Sequence, residues 1–391
     1  MGEPELESST DPRQLPAQPP LRSVYSTSFP QVLNELQGSL AVTTYQASKL
    51  VLLRAEPGPH GAELNTHFSG FNKPMGFAWE PGRFAIGTNT EIWQFRDIPI
   101  VTRTLDTPDS PVRHDAAFLP HSAHITGQVQ VHEMVWAPRP ETAGQSVLRC
   151  SELYFVNTRF SCLATRSDEY SFVPHWKPKF ITELGPEDRC HLNGVGSRDG
   201  KLRYVTALGQ TNTPAGWREN KGAGGVVIDI LSNETIARGL SMPHSPRWHN
   251  GQLWVLESGN GGVGTVDPHS GKYQEVCRLP GFTRGLDFAG PYAFVGLSQV
   301  RETATFSSIA IAGIPQDHRC CGVWFIDTRN GQVAGFTNFT DTVHEIFAIQ
   351  FLRGLRWPEV LIGDKRIAAT FLLPKEALGH VPQEARNAGG R

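Results

Sequence analysis

Short apolar runs recur in pairs along almost the whole chain, and a tight turn joins each pair. Arg83–Gly87 and Glu91–Phe95 flank Thr88-Asn89-Thr90. Glu152–Val156 pairs with Cys162–Thr165, Leu202–Ala207 with Gly225–Ile230, Gln252–Leu256 with Val263–Asp267, and Tyr292–Leu297 with Gly322–Asp327. Ser39–Thr43 with Lys49–Arg54 forms a pair near the start, and Glu359–Ile362 with Ile367–Leu372 a pair near the end. Two of the runs close on Asp-x-x-x-Gly, at Asp267–Gly271 and Asp327–Gly331. Apolar, β-forming runs bounded by Gly, Pro, Asn and Asp read as hairpin strands.

Most pairs follow a segment of related shape. The segments are Pro74–Trp79, Val131–Trp136, Leu192–Gly196, His244–Trp248, Thr283–Phe288 and Val343–Ala348. With Gly76, Glu133, Gly194, Pro246, Gly285 and Glu345 in one column, the steps are 57, 61, 52, 39 and 60 residues. A propeller blade takes about 40–50 residues, and loop insertions lengthen it. The chain therefore reads as an all-β propeller of six blades, with Ser39–Arg54 completing the last blade and closing the ring. A seventh blade built on those N-terminal strands is the alternative count. An α/β fold is disfavoured, because no amphipathic helix of about 10–15 residues separates the strands. The helical signals are Pro30–Leu36 and Lys375–Gly379.

Composition sets the limits of this reading. Apolar residues make up 39% and charged residues 19%, enough for a sizeable core. A net charge of -2 gives no global field for nucleic acid or an anionic membrane. No run of about 18 apolar residues predicts a transmembrane helix. Residues 1–22 are polar, lack the apolar segment of a signal peptide, and read as a disordered tail on a cytoplasmic protein. Residues 23–375 read as one propeller domain, and 376–391 as a flexible tail. The six cysteines, Cys320-Cys321 among them, read as free thiols.

In a propeller the innermost strand of each blade lines a central channel, and the residues at its start face the channel mouth. One position back from the aligned column stand Met75, His132, Asn193, Ser245, Arg284 and His344, and slightly further back Lys73, His191 and His244. Four of six blade starts thus carry an imidazole, and Glu133 and Glu345 adjoin two of them. Converging neutral imidazoles suit one divalent transition metal such as Zn, Fe, Cu or Mn, so His132, His191, His244 and His344 are the candidate ligands. Arg284 is the candidate anchor for an anionic substrate group, and Glu133 or Glu345 the candidate proton carrier. Lys73, Asn193, Ser245 and Arg301 are candidate substrate contacts. Adjacent residues on a strand face opposite ways, so only one member of each His-Glu pair can face the channel.

Asp188–His191 precedes the third blade start, where Cys190 reads as a buried thiol rather than a soft ligand. The insertion Gly209–Gly224, with Trp217-Arg218, reads either as a cover over the mouth or as a solvated loop, and Ser298 is placed to border the channel. Motifs for other chemistries are missing. The chain has no G-x-S-x-G, no HExxH and no EF-hand run, and Ser258–Gly262 lacks the spacing of a phosphate loop.

The strings Pro74-Met-Gly76, Asn157–Cys162, Cys190–Gly194, Met242–Trp248 and Pro280–Gly285 resemble a family of bacterial proteins of unassigned function, over roughly residues 25–375. That resemblance implies no activity. The layout is more remotely similar to six-bladed propellers of the NHL, gluconolactonase and peptide-amidating lyase types. In the lyase group channel histidines hold a metal and an arginine assists. The gluconolactonase group places a carboxylate, Asn and Asp around a divalent ion. The His-rich blade starts resemble the lyase pattern more closely. The expectation is a metal-dependent hydrolase, lyase or oxidative enzyme acting on a small molecule or peptide. The alternatives are a metal-free module binding a peptide or protein partner, and a scaffold without ligand.

Overall fold

The computed structural model describes residues 21–110, 112–138, 151–300 and 309–383. The chain enters through β1 (Ser23–Tyr25) and a two-turn helix, α1 (Ser28–Glu35), followed by β2 (Gly38–Thr44), β3 (Lys49–Gly58) and β4 (Gly61–Gly70). Blade 1 then comprises β5 (Phe77–Glu80), β6 (Arg83–Gly87), β7 (Glu91–Asp97) and β8 (Ala116–Ile125). Blade 2 is β9 (Val131–Pro138), β10 (Ser151–Asn157), β11 (Cys162–Thr165) and β12 (Val173–Trp176). Blade 3 is β13 (Leu192–Arg198), β14 (Lys201–Ala207), β15 (Gly225–Asp229) and β16 (Glu234–Leu240). Blade 4 is β17 (Pro243–His249), β18 (Gln252–Glu257), β19 (Gly262–Val266) and β20 (Tyr273–Arg278). Blade 5 is β21 (Phe282–Ala289), β22 (Tyr292–Ser298), β23 (Gly322–Asp327) and β24 (Gln332–Phe339), with β1 added at its outer edge.

The sixth blade settles the count. Its inner strand is β25 (Ile349–Arg353), which pairs antiparallel with β2, followed outward by β3 and β4. First strands touch in sequence, β5 to β9, β13, β17, β21 and β25, and β25 returns to β5. The ring therefore has six blades, and the N-terminal strands close it rather than adding a seventh.

Alternation within each strand builds the interior. In β2 and β3, Leu40, Val42, Val51 and Leu53 pack toward blade 5 with Phe294 and Phe325. Ala41, Leu50 and Leu52 point the other way, to Phe77 and Phe84 of blade 1. Similar apolar clusters fill the remaining gaps between neighbouring blades. Strands buried on both faces read as nearly continuous apolar runs, which is why these segments stood out in the sequence. Close approach between blades also fixes residue size. A Cβ on Gly196 would strike the carbonyl oxygen of Pro246 in the next blade. The helix α1 buries Phe29 edge-on against Phe294 and Phe325.

The expected hairpin of Glu359–Ile362 with Ile367–Leu372 does not form. Instead β26 (Pro358–Val360) runs parallel to β8 as a fifth strand of blade 1, and Lys365–Ala369 is a 3-10 turn. A parallel partner cannot be reached by a tight turn, so the local pattern misled. The segment Lys375–Leu378 is a short exposed helix. Of the expected tails, residues 1–20 and 384–391 lie outside the described residues. Among the described residues no helix is long and apolar enough to cross a membrane.

A carboxylate latches β26 in place. Glu359 accepts from His67 Nε2 at 2.7 Å, and His114 Nε2 lies 3.5 Å and Arg54 Nη1 3.4 Å from its other oxygen. Asp106 holds the far nitrogen of His114 at 2.6 Å. Its hydrogen bond to Glu359 raises the His114 pKa, against burial and with help from Asp106. Burial alone would raise the Glu359 carboxyl, but His114, His67 and Arg54 hold it far below the usual range. The raised imidazole stabilises the fold fully below its unfolded pKa of about 6.5, and that gain is lost as pH rises through the folded value. The depressed carboxylate contributes above its unfolded value of about 4.3. Hydrogen exchange in β26, corrected for intrinsic rates, is therefore expected to be slowest between these two values. The loss toward alkaline pH should be about 0.5–1 kcal/mol, the small size reflecting solvent screening. Equal protection inside and outside that window would refute the latch.

Candidate functional site

Two blade starts share one local device. Gln130 and Met242 take left-handed backbone angles, φ 56° and 49°. Two residues later His132 and His244 turn back, each placing Nδ1 against the carbonyl of that residue, at 3.1 and 2.9 Å. Each ring also meets a hydroxyl one residue past the second strand, Thr158 for His132 and Ser258 for His244, both at 2.9 Å. His244 is thus the structural counterpart of His132. Ser245, which the sequence column placed there, is one residue out of register.

His191 arrives differently. It is itself left-handed, φ 48°, and its Nδ1 lies 2.8 Å from the Asp188 carboxylate. Trp217 Nε1 donates to the same carboxylate at 3.1 Å, and the Trp217 ring lies 4.5 Å from that of His191. The tryptophan comes from the 209–224 insertion, folded there as the 3-10 turn Gly216–Asn220. The rings of His132 and His191 meet edge-on at 4.8 Å.

These groups open into one cavity of about 270 Å³ at the channel mouth. Arg284, Glu345, Phe347, Tyr45 and Ser298 line it as well, with Met75, Leu208, Met242, Phe282 and Val300 as apolar wall. The Arg284 guanidinium lies 3.2 Å above the Phe347 ring. Among the described residues it makes no side-chain hydrogen bond or ion pair, and neither does Glu345. Burial lowers the Arg284 pKa to about 9, offset in part by Glu345, Glu133 and Tyr45. Arg284 therefore stays a cation at neutral pH. Burial first, and then the charge of Arg284 and the neighbouring imidazoles, push His132 and His244 well below the ordinary histidine range. Both are neutral at physiological pH.

Several expected site residues lie elsewhere. Glu133 does not line the cavity. It is 5% exposed and accepts from Val195 N and from Arg247 Nη2, both at 2.6 Å, below the histidine layer. Asn193 is also buried, donating to Pro243 O at 3.1 Å and accepting from Thr206 Oγ1 at 2.6 Å. Ser245 is buried outside the cavity lining. His344 turns away to Gln299 Oε1 at 3.0 Å, leaving Glu345 on the cavity side. Lys73 stays exposed at the rim, 5.7 Å from the Tyr45 ring. Arg301 lies outside the described residues.

Residues 343–348 are not a strand. Hydrogen bonds from Ile346 N to Ser298 Oγ and from Phe347 N to Thr43 O hold them across the mouth. Strand alternation could not orient them, and Phe347 was missed for that reason, while Tyr45 sits on the turn after β2. Gln130 carried no signal beyond its position before His132.

The donor set suits a metal chemically, because each Nδ1 is engaged and each Nε2 is left over. As arranged, however, no group of three or more His, Cys, Asp or Glu among the described residues is placed to hold a metal ion.

A family model described as a domain of unknown function, DUF4915, matches residues 27–361, and the chain belongs to that family. No curated protein matches it in sequence. Among solved structures it is similar to a chain of the crystal structure of a nidogen/laminin complex. That match has a TM-score of 0.50 and 9% identity, and covers 81% of this chain and 99% of the other. It is also similar to a protein of unknown function from Bacteroides caccae, with a TM-score of 0.44, 10% identity, and coverage of 81% and 99%. At such identities the first likeness speaks to the propeller fold alone.

Proposed function

We propose that the channel mouth binds a small anionic molecule, or the end of a peptide, and performs acid–base chemistry on it without a resident metal. The observation that carries this reading is Arg284, a partly buried cation lining the cavity with no ion-pair partner among the described residues. A guanidinium held flat on an aromatic face presents its fork to a carboxylate or phosphate. His191 is the proton carrier in this reading. Asp188 fixes its tautomer and would stabilise the imidazolium formed when Nε2 accepts a proton, and Trp217 fixes Asp188. Neutral His132 and His244 supply hydrogen-bonding groups without adding charge. The test is calorimetric titration with 3-phenylpropanoate. Arg284→Gln is expected to weaken binding by about 100-fold, the size typical of a desolvated charge pair. Unchanged affinity in a folded variant would overturn the reading.

A metal-dependent site is the second reading. It rests on the common anchoring of three imidazoles through Nδ1, which leaves Nε2 as the free donor on His132, His191 and His244. Zn, Fe, Cu or Mn held there would act as a Lewis acid. Elemental mass spectrometry on untagged protein, purified without chelator, separates the two readings. About one metal per chain, lost in His132→Ala and His244→Ala, would establish the metal. Metal-free protein with intact ligand binding would exclude it.

A further inference from the structure

We infer that the ligand is a zwitterion, a free α-amino acid with an apolar side chain, whose carboxylate sits on Arg284 and whose ammonium sits on Glu345. The inference rests on the anion-binding reading above and narrows it to a substrate class. Two opposite charges line the same small cavity and feel each other, since Glu345 is the foremost charge opposing the depression of the Arg284 pKa. Yet among the described residues they form no ion pair with each other or with any other group. Opposite charges that share one partly buried cavity gain by pairing, and these two do not. Glu345 lies on the irregular segment strapped to Ser298 and Thr43, and Arg284 is held flat against Phe347.

The remaining charges do not disturb this pair. His132 and His244 are neutral, Asp188 is taken by His191 and Trp217, and Arg218, which also lines the cavity, is exposed and lies over Trp217. A simple carboxylate would answer Arg284 and leave Glu345 facing it. A dicarboxylate would be repelled by Glu345, and an amine by Arg284. A molecule carrying one ammonium and one carboxylate on the same carbon satisfies both. Part of the wall, Met75, Leu208, Met242, Phe282 and Val300, offers apolar surface to a side chain. The volume, about 270 Å³, lies just under the usual range for drug-sized ligands and suits a single residue better than an oligopeptide.

The test is calorimetric titration of the full chain at neutral pH with L-leucine, L-methionine and L-phenylalanine, and with the deaminated acid of each. At least one amino acid is expected to bind about 10-fold or more tightly than its deaminated acid, the difference set by one charge-assisted contact. Glu345→Gln should reduce that preference to about 2-fold or less, with the deaminated acid binding no more weakly than to the unaltered chain. Glu345→Asp, which keeps the charge, should retain part of the preference. Thermal unfolding of each variant checks that it is folded, and the comparison of ligands on the unaltered chain needs no variant. If the deaminated acids bind through Arg284 as tightly as the amino acids, the zwitterion is refuted and the anion site stands. If none of the six ligands binds, both are refuted.

Discussion

Replacing Glu133 by Ala is expected to lower the unfolding free energy by about 3–5 kcal/mol, the loss typical of removing one partner from a buried ion pair. The pair is buried unevenly, with side-chain exposures of 7% for Glu133 and 25% for Arg247, so the lower end of that range is the better expectation. Few side chains tie together as much of the ring. Glu133, on β9 of blade 2, accepts from Val195 N on β13 and from Arg247 on β17. Arg247 in turn donates to Val195 O at 3.1 Å and to Leu286 O on β21 at 3.0 Å. One ion pair thus links blades 2, 3, 4 and 5 beneath the cavity floor. Without Glu133, Arg247 Nη2 loses its carboxylate and the Val195 amide its side-chain acceptor. The charge of Glu133 is the main influence holding the Arg247 pKa up against burial. Glu133→Gln keeps an acceptor for Val195 N and should cost less. Urea or thermal denaturation measures both variants, and a loss under about 1 kcal/mol for Glu133→Ala would show the pair to be incidental.

Phe351→Ala is expected to cost about 3–5 kcal/mol, as for other fully buried aromatic truncations. Phe351 is 1% exposed on β25 and stacks on Phe294 of blade 5 at 5.6 Å. Its backbone amide donates to Asp287 Oδ2 at 2.7 Å, and its ring leaves no room for a Cβ on Gly38 of β2. It therefore holds the closing strand to blade 5 and to its own partner at once. The effect should spread, because opening one interface of a ring exposes two blade faces. Hydrogen exchange should accelerate in β21 and β5 on either side as well as in β25. Acceleration confined to β25 would mean that the ring tolerates a break.

The paired runs were legible because both faces of every blade are buried, so strands appear as apolar runs punctuated by Gly, Pro, Asn and Asp. The six starts were legible because each innermost strand solves the same packing problem. The register of blade 4 was not. His132 and His244 correspond through a left-handed residue two positions earlier, and neither Gln130 nor Met242 advertises that angle as a glycine would. Sequence also could not tell which polar residues serve the ring and which serve the cavity. Glu133 and Asn193 find their partners 62 and 50 residues away, at Val195 and Pro243, which no local pattern records. His191, His244, Arg284 and Glu345 were found because channel-mouth positions recur at every blade start. The aromatic residues of the cavity lining, Tyr45, Trp217 and Phe347, come from a turn, an insertion and an irregular crossing, where no periodicity operates.

The pairing of β2 with β25 also sets a timetable. Its register joins Gly38 to Arg353, near opposite ends of the chain. At about 5–20 residues per second, the ribosome needs roughly 15–60 s to supply the second strand after the first has emerged. For that interval a sheet of β2, β3 and β4 has β2 as an additional unpaired edge, a ready template for pairing with a foreign strand. A propeller closed in this way cannot complete its ring before β25 has emerged. Its yield in the cell should depend on what shields that edge until then.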